Sequence, residues 1–365
     1  MGYDGYSWSV VLVIVALLTM ACPSLDRAVA VAGAGAGDSV SSSDGGPARQ
    51  EPSPVTSGAG EAKVEDMGAS KDICCEPHRG TFTVKLSHAP YPYTGKYADS
   101  GEDFFDHVDR ESGERFHTNR YGQRFSEREH YSDGSVLFHV PPRFNPREPF
   151  AYVLFFHGMN SDIQSSNRDY MLDRQIEGSE KNVILIMPQL AKNAADSSPG
   201  KLFRKNGFKA FMDEAAGVLV PVVGARYGQR LKSAPIILTA FSGGYKAVAL
   251  VLDRGGVESR VRGVLLMDAL YEDVDKFQKW GRKNIRKGFL VSMFTSGSCQ
   301  SNSRELANRL GKLGIAVRSN WPEANPKGGA YFVSTDIEHM QVPIWGTPRQ
   351  PLASLLRVLD LRSIQ

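Results

Sequence analysis

The feature that most constrains the fold is a series of apolar runs in which apolar and polar residues do not alternate. Residues 151–156, 183–187 and 235–240 are dominated by Val, Ile, Leu, Phe and Met, and the segments between such runs are long enough for helices. Strands that are buried on both faces of a parallel sheet have this composition. Because crossovers between parallel strands are right-handed, the helices then cover both faces. The sequence therefore predicts an α/β fold with a doubly wound, mostly parallel sheet over residues 135–365.

The same patterns give approximate bounds for the elements, with an edge strand at residues 81–86 as a further candidate. We predict core strands at 135–140, 151–156, 183–187, 235–240, 261–267, 289–294 and 330–334, and helices near 168–178, 208–225, 244–254, 273–281, 303–313 and 351–360.

One predicted strand ends in a serine that stands among small residues. Ser242 follows the apolar residues 236–241 and precedes Gly243, Gly244 and a helix-compatible stretch. A turn this tight strains the backbone of its apical residue, and its neighbours must be small for strand and helix to approach. The first helical amides, beginning with Gly243, would point at an oxyanion formed beside Ser242. An ordinary turn that serves packing or phosphate binding is the alternative.

Two further polar residues follow later strands, so that the chain order is Ser242, Asp268, His339. Reactive groups collect at the C-terminal edge of an open α/β sheet. A serine hydroxyl needs a base before it can act as a nucleophile, and His339 is the candidate base. Asp268 would orient the imidazole, and Asp336 and Glu338 are second choices for that role.

Each of these two roles has a simpler alternative. Asp268 suits the N-cap of a helix starting near Glu272, as an Asp after a strand often does. His339 lies in a terminal loop, where histidines are usually inert.

These motifs resemble the α/β-hydrolase family over roughly residues 135–360. The matching pieces are the Phe-Phe-His-Gly run 155–158, the Ala-Phe-Ser-Gly-Gly run 240–244, Asp268 and His339. The order Ser, Asp, His is the family's triad order. Residues 187–200 together with the Asp-Ala-Leu-Tyr run 268–271 are similar to an uncharacterised bacterial branch of that family.

The resemblance implies roles for residues around the serine. The main-chain amides of Met159 and Gly243 would form the oxyanion hole. His157, Asn160, Tyr245 and Tyr271 become candidates for the pocket, with His157 more suited to holding its loop.

The resemblance also includes a departure in the position of the acid. The family's acid usually follows the strand after the one that ends at Asp268, which in this chain is the predicted strand 289–294. The loop after that strand, residues 295–302, contains no carboxylate. Some lipases of the family have their acid one strand earlier, and Asp268 resembles that arrangement.

The first part of the chain suggests export. Residues 10–21 form an apolar run that is short for a membrane span of ~20 residues but suits a signal peptide, and the Ala-Val-Ala sequence 28–30 offers a cleavage site. A lipid on Cys22 and an uncleaved anchor over residues 1–30 are alternatives, and all three place the protein outside the cytoplasm. Residues 31–73 are rich in Gly, Ala, Ser and Pro and predict a disordered linker, before a loop-rich N-terminal extension over residues 74–134 that packs on the core.

Charge and cysteine content exclude several function classes. The net charge of +3 is too small to indicate a nucleic-acid partner. Cys74, Cys75 and Cys299 remain if the signal is removed, and whether Cys299 pairs with one of the other two stays open. Neither a His-Glu-x-x-His motif nor paired Cys-x-x-Cys motifs are present, so we expect no metal and no cofactor.

The combined prediction is an exported serine hydrolase that cleaves a small-molecule or lipid-like carboxylic ester, with an amide as a second possibility. Residues 189–207 would form a lid or pocket wall, or else a plain surface loop. Contact with a membrane is expected only through the N-terminal anchor or lipid. The alternative function is a catalytically inactive binding protein of the cell envelope with the same fold.

Overall fold

The computed structural model describes residues 79–97 and 100–365, which include twelve strands and ten α-helices. The strands are β1 (Gly80–Lys85), β2 (His107–Val108), β3 (Arg115–Thr118), β4 (Arg124–Ser126), β5 (Ser135–Val140), β6 (Ala151–Phe156), β7 (Val183–Pro188), β8 (Ile236–Phe241), β9 (Val261–Met267), β10 (Phe289–Phe294), β11 (Ala316–Arg318) and β12 (Gly329–Ser334). The helices are α1 (Glu127–His130), α2 (Ile163–Tyr170), α3 (Leu172–Gly178), α4 (Gly207–Val223), α5 (Gly228–Ser233), α6 (Tyr245–Arg254), α7 (Val274–Asn284), α8 (Gly297–Lys312), α9 (Val342–Trp345) and α10 (Pro351–Val358).

Nine of the strands form the main sheet, in the order β1-β5-β7-β6-β8-β9-β10-β12-β11. Strand β5 runs antiparallel to both β1 and β7, and the remaining neighbours pair in parallel. From β6 the chain winds outward to β7 and then returns to the other side of β6 with β8. The predicted doubly wound, mostly parallel sheet is confirmed.

The sheet is buried on both faces, as the apolar runs require. Every residue of β6, β7, β8 and β10 is buried. Because successive side chains of a strand point to opposite faces, Leu154 and Phe156 pack in one core and Val153 and Phe155 in the other. Helices α4 to α8 supply the first core, and α2, α3, α9 and α10 supply the second.

Two of the helix predictions need correction. The helix expected near 168–178 is two helices, α2 and α3, because Met171 between them has the left-handed φ of 50°. The helix expected from 303 begins at Gly297, where the polar sequence suggested a loop. Its buried residues Cys299, Ser303, Leu306 and Leu310 recur at helical spacing, but two of them are not strongly apolar, so the pattern is weak.

The N-terminal extension is more ordered than its sequence suggests. Strands β2, β3 and β4 form a separate antiparallel sheet, and strands of two to four residues are too short to show a period. Strand β1 joins the main sheet through β5 and is its edge strand, close to the edge strand predicted over residues 81–86. The extension's Tyr91, Phe104 and Tyr131 pack with Phe203 and Leu250 of the core.

Several predictions fall outside the described residues. These are the signal or anchor with Cys22, the linker 31–73, and Cys74 and Cys75. Within the described part, Cys299 is a buried free thiol. No helix in residues 79–97 and 100–365 has the length and apolar character that a membrane span requires.

Candidate active site

Ser242 lies at the apex of a sharp turn between β8 and α6. A single 3-10 turn, Ser242–Gly244, separates the strand from the helix. The φ of Ser242 is 51°, a left-handed conformation that side chains other than glycine adopt at a cost. The buried turn lies at the C-terminal edge of the sheet, beside the loop that follows β6.

The small residues around Ser242 are required by close backbone contacts. A Cβ atom added to Gly244 would lie 2.3 Å from the carbonyl oxygen of Phe156, a separation that real Cβ atoms do not reach. A Cβ on Gly158 would lie 2.9 Å from the Cβ of Ser242. The loop after β6 therefore presses directly against the turn that bears the serine.

Ser242, His339 and Asp268 form one chain of hydrogen bonds. The Oγ of Ser242 lies 3.0 Å from Nε2 of His339. The Nδ1 of His339 lies 2.7 Å from Oδ2 of Asp268. With the proton on Nδ1, the imidazole donates to the carboxylate and its Nε2 can accept the proton of the serine hydroxyl.

The carboxylate of Asp268 is buried and fully engaged. Besides His339, it accepts hydrogen bonds from the backbone amide of Thr295 at 3.0 Å and from the Thr295 hydroxyl at 2.8 Å. Burial alone would raise the pKa of Asp268, but the hydrogen bonds from His339 and Thr295 outweigh it and hold the pKa below its ordinary value. Asp268 therefore stays ionised, and it also has a positive φ of 45°.

The imidazole of His339 is held by an aromatic ring as well as by its two partners. The ring of Phe241 stacks on it with a centroid distance of 4.7 Å. The side chain of His339 is 33% exposed, whereas that of Asp268 is 3% exposed. Solvent or a substrate can therefore reach the histidine but not the acid.

The alternative roles considered for these residues do not match the structure. The residue at the N-cap position of α7 is Asp273, and Asp268 instead forms hydrogen bonds with His339 and Thr295. Within the described residues, Asp336 and Glu338 form no hydrogen bond with the ring of His339.

The pattern of the main sheet and the position of the serine turn together identify the fold. One antiparallel strand, β5, stands next to the edge strand β1, and parallel strands follow in crossed order. The serine turn follows β8, whose neighbours are β6 and β9, and the acid and the histidine follow later strands. Strand, tight turn and helix with this order of side chains form the nucleophile elbow. The chain has the α/β-hydrolase fold.

Comparisons with known proteins give only distant structural similarity. No family model and no curated protein matches this sequence. Solved structures that are similar include a ferulic acid esterase, with 11% identity, a TM-score of 0.43, and coverage of 61% of this chain and 92% of that one. A mutant feruloyl esterase module from Clostridium thermocellum has 13% identity and a TM-score of 0.42, with coverage of 74% and 96%. A fluorophosphonate-binding serine hydrolase from Staphylococcus aureus has 12% identity and a TM-score of 0.38, with coverage of 64% and 95%. Values this low do not bear on the substrate.

Within this α/β-hydrolase fold, Asp268, the predicted acid, follows β9, and β10 is the next strand along the chain. Strand β10 lies between β9 and β12 in the sheet, so the carboxylate of Asp268 reaches His339 across the end of β10. Thr295, the residue directly after β10, donates both of its hydrogen bonds to that carboxylate. The loop that lacks a carboxylate therefore supports the acid of the neighbouring strand.

The loop after β6 is held by His157. This residue is buried, its Nδ1 lies 2.7 Å from the Gly158 carbonyl oxygen, and its Nε2 accepts from the Leu190 amide at 3.0 Å and faces Gln189 at 2.9 Å. Burial lowers the pKa of His157 to about 4. Its imidazole is therefore neutral at physiological pH and has a structural role.

The backbone of Met159 lies beside the turn of Ser242. The amide nitrogen of Met159 is 3.3 Å from the point where a Cβ of Gly243 would stand. The Met159 amide therefore lies next to the residue that follows Ser242. That the amides of Met159 and Gly243 form an oxyanion hole stays a prediction.

A cavity of about 260 Å³ opens beside Met159. Its wall comes from the loop after β6, from the start of α6, from the segment between β7 and α4, and from the extension. The lining residues are Tyr97, His117, Thr118, Asn119, Arg120, Tyr121, Met159, Ala195, Asp196, Ser197, Ser198, Phe203, Tyr245, Lys246 and Glu272. The segment over residues 189–207 therefore forms a wall of this cavity and is not a plain surface loop.

The pocket candidates divide into three groups. Tyr245 lines the cavity, and its hydroxyl donates to Glu272 at 2.9 Å. The ring of Tyr271 lies edge-on to His339, with 6.3 Å between centroids. Asn160 is exposed and His157 is buried, and neither is part of the cavity wall.

Sequence reasoning missed three residues that support the site. These are Phe241 against His339, Thr295 against Asp268, and Gln189 against His157. Each directly follows or ends a strand, which is the only sequence signal that marks them. In residues 79–97 and 100–365, no cluster of His, Cys, Asp and Glu is arranged to hold a metal ion.

Proposed function

We propose that this protein is a serine hydrolase that cleaves carboxylic esters through an acyl-enzyme on Ser242. The observation that supports it best is the continuous set of hydrogen bonds from Ser242 through His339 to the buried Asp268. A serine with only a structural role does not need a histidine and a carboxylate in series. A nucleophilic serine requires a base that is itself oriented by a third group.

In the acylation step, Ser242 Oγ attacks the ester carbonyl carbon and its proton passes to Nε2 of His339. The carbonyl oxygen becomes an oxyanion, which the amides of Met159 and Gly243 stabilise. When the intermediate collapses, the C–O bond to the alcohol breaks and His339 returns its proton to the leaving oxygen. Deacylation repeats these steps with water as the nucleophile, and it releases the carboxylic acid and the free serine.

Asp268 keeps the imidazole in the useful tautomer and stabilises the imidazolium that forms in both steps. Its lowered pKa means that it retains its charge while His339 changes protonation. Thr295 fixes both carboxylate oxygens, so the acid cannot rotate away from the histidine.

We infer that the cavity beside Met159 and Tyr245 receives part of the substrate, and that this part is a short acyl or alcohol group. The cavity's volume of about 260 Å³ lies below the ~300–1,000 Å³ of pockets that enclose drug-sized ligands. Several charged side chains line it, among them Arg120, Lys246 and Glu272, and a long alkyl chain would remove them from water. We therefore expect short esters to react faster than the lipid-like esters that the sequence left open.

Labelling with a fluorophosphonate probe tests the proposal, because the probe reacts only with an activated serine. We expect one adduct, located by mass spectrometry on Ser242, and turnover that falls along a panel of p-nitrophenyl esters from acetate to palmitate. An adduct on another residue, or no adduct on folded protein, would refute the mechanism and favour the inactive binding protein. A matched amide panel separates an esterase from an amidase.

We also propose that the enzyme acts outside the cytoplasm, through a signal, an anchor or a lipid on Cys22. The apolar run 10–21 supports this placement. Cell fractionation that finds only full-length, unprocessed chain in the cytosol would refute it.

A further inference from the structure

Ser197 lies beside Gly243, on the side where Met159 also approaches it. It belongs to the segment between β7 and α4 that forms one wall of the cavity. A Cβ built on Gly243 would stand 2.6 Å from the Oγ of Ser197, and 3.3 Å from the amide nitrogen of Met159. The hydroxyl is therefore in contact with the residue that follows the nucleophile, on the side that also faces Met159.

The hydroxyl of Ser197 is uncommitted, in contrast to the side chains on either side of it. The Oγ of Ser198 donates to Asp196 at 2.9 Å, and Asp196 also accepts from the Tyr131 hydroxyl at 3.1 Å. Across the described residues, Ser197 Oγ has no hydrogen-bond partner, and its side chain is partly open to the cavity. A polar proton is thus available where a substrate would enter.

The position of Ser197 is set by the N-terminal extension. Residue 195 is held by Asn119, whose Nδ2 donates to the Ala195 carbonyl oxygen at 2.7 Å. Residue 196 is held by Tyr131 and by the Ser198 amide at 3.0 Å. The backbone on the N-terminal side and the C-terminal side of Ser197 is therefore anchored before substrate binds, as an electrostatic donor in an active site requires.

We propose that the Ser197 hydroxyl is a third donor of the oxyanion hole. When Ser242 attacks, the carbonyl oxygen gains negative charge between the amides of Met159 and Gly243, and the Ser197 O–H donates a further hydrogen bond to it. No bond to Ser197 forms or breaks, and its proton stays on its oxygen. The inference rests on the proposed function, because it assigns a role within the same acyl-transfer site.

Substitution of Ser197 by Ala tests this role with full-length protein. Removal of one oxyanion donor lowers kcat by about 10²–10³ where the donor is rigid, and we expect roughly 10–100-fold for a rotatable hydroxyl. KM should change little, since the hydrogen bond forms mainly in the transition state. Affinity for an alkyl boronic acid, which forms a tetrahedral adduct on Ser242, should fall by the same factor as kcat/KM.

The controls separate this inference from the proposed function. Ser233→Ala removes an exposed hydroxyl at the end of α5 and should leave kcat, KM and boronate affinity unchanged. Ser197→Ala should keep the wild-type thermal midpoint and the same final stoichiometry of fluorophosphonate labelling. Failure of the wild type to label refutes the proposed function itself. A labelled Ser197→Ala variant with unchanged kcat, or with a raised KM and unchanged kcat, overturns the third donor and makes Ser197 a plain part of the pocket wall.

Discussion

The loop after β6 and the loop after β12 both place a histidine at the C-terminal edge of the sheet, yet the two histidines differ in burial and in the groups that they contact. His157 is buried, and both of its ring nitrogens are bonded to the loops around it. His339 is partly exposed, and its ring nitrogens bridge a carboxylate and a serine hydroxyl.

The difference explains why His339, and not His157, is the proposed base. Burial outweighs the opposing effects of the Gly158 carbonyl and of Asp162 and lowers the pKa of His157 to about 4, so that this imidazole is not protonated at neutral pH. His339 instead hydrogen-bonds the carboxylate of Asp268, which would stabilise an imidazolium formed during the reaction, and its side chain is in contact with solvent. Four substitutions test this contrast, from the largest expected effect to the smallest.

Removing the nucleophile has the largest expected effect. Ser242→Ala should lower kcat by on the order of 10⁶, since loss of one triad member removes nearly all triad catalysis. The thermal midpoint should change little, because the substitution removes a single hydroxyl from a strained turn. Ester assays and differential scanning calorimetry measure both, and substantial residual turnover would place the nucleophile elsewhere.

Removing the charge beside His339 comes next. Asp268→Asn should lower kcat by about 10⁴, through loss of the correct tautomer, with folding intact. Asp336→Asn and Glu338→Gln remove carboxylates from the loop that bears His339 and serve as matched controls, and both variants should retain activity. Near wild-type turnover in Asp268→Asn would assign the role of acid to another carboxylate. It would also contradict the view that Asp268 is what distinguishes His339 from His157.

Replacing His157 should alter the pH dependence of stability and not the chemistry. Its folded pKa of about 4 lies below the unfolded value of about 6.5. The unfolded chain therefore binds the proton first, so stability falls as pH drops from 6.5 towards 4, by about 3 kcal/mol in total. Urea titrations should show that His157→Gln loses this part of the slope while His339→Gln retains it; an unchanged slope in His157→Gln would contradict the assignment.

The smallest effect is expected for the neutral partner of His157. Gln189 contacts Nε2 of His157 and accepts from the Ile163 amide at 3.2 Å. Gln189→Leu should lower the free energy of unfolding by about 1–3 kcal/mol, because a buried amide loses its acceptor, and kcat by less than tenfold. A loss in kcat as large as that of Asp268→Asn would show that the loop after β6 contributes as much to catalysis as the loop after β12.

Much of the fold was predictable because buried parallel strands have a distinctive composition. The bounds of β5, β6, β9 and β10 agree with the apolar runs. The break at Met171 was not predictable, since one left-handed residue leaves the helical period on either side intact. The small sheet of the extension was missed because its strands depend on pairing and not on their own composition.

The sequence by itself determined the strand-turn-helix around Ser242 and the order in which serine, carboxylate and histidine follow strands. Both are local features, decided by small residues and by where apolar runs end. Only the tertiary structure decided which polar groups meet. His339 contacts Asp268 across the end of β10, where Thr295 completes the acid's hydrogen bonds, and the extension places Ser197 against Gly243. These contacts join residues far apart in the chain, and they depend on the order of strands in the sheet and on the packing of the extension.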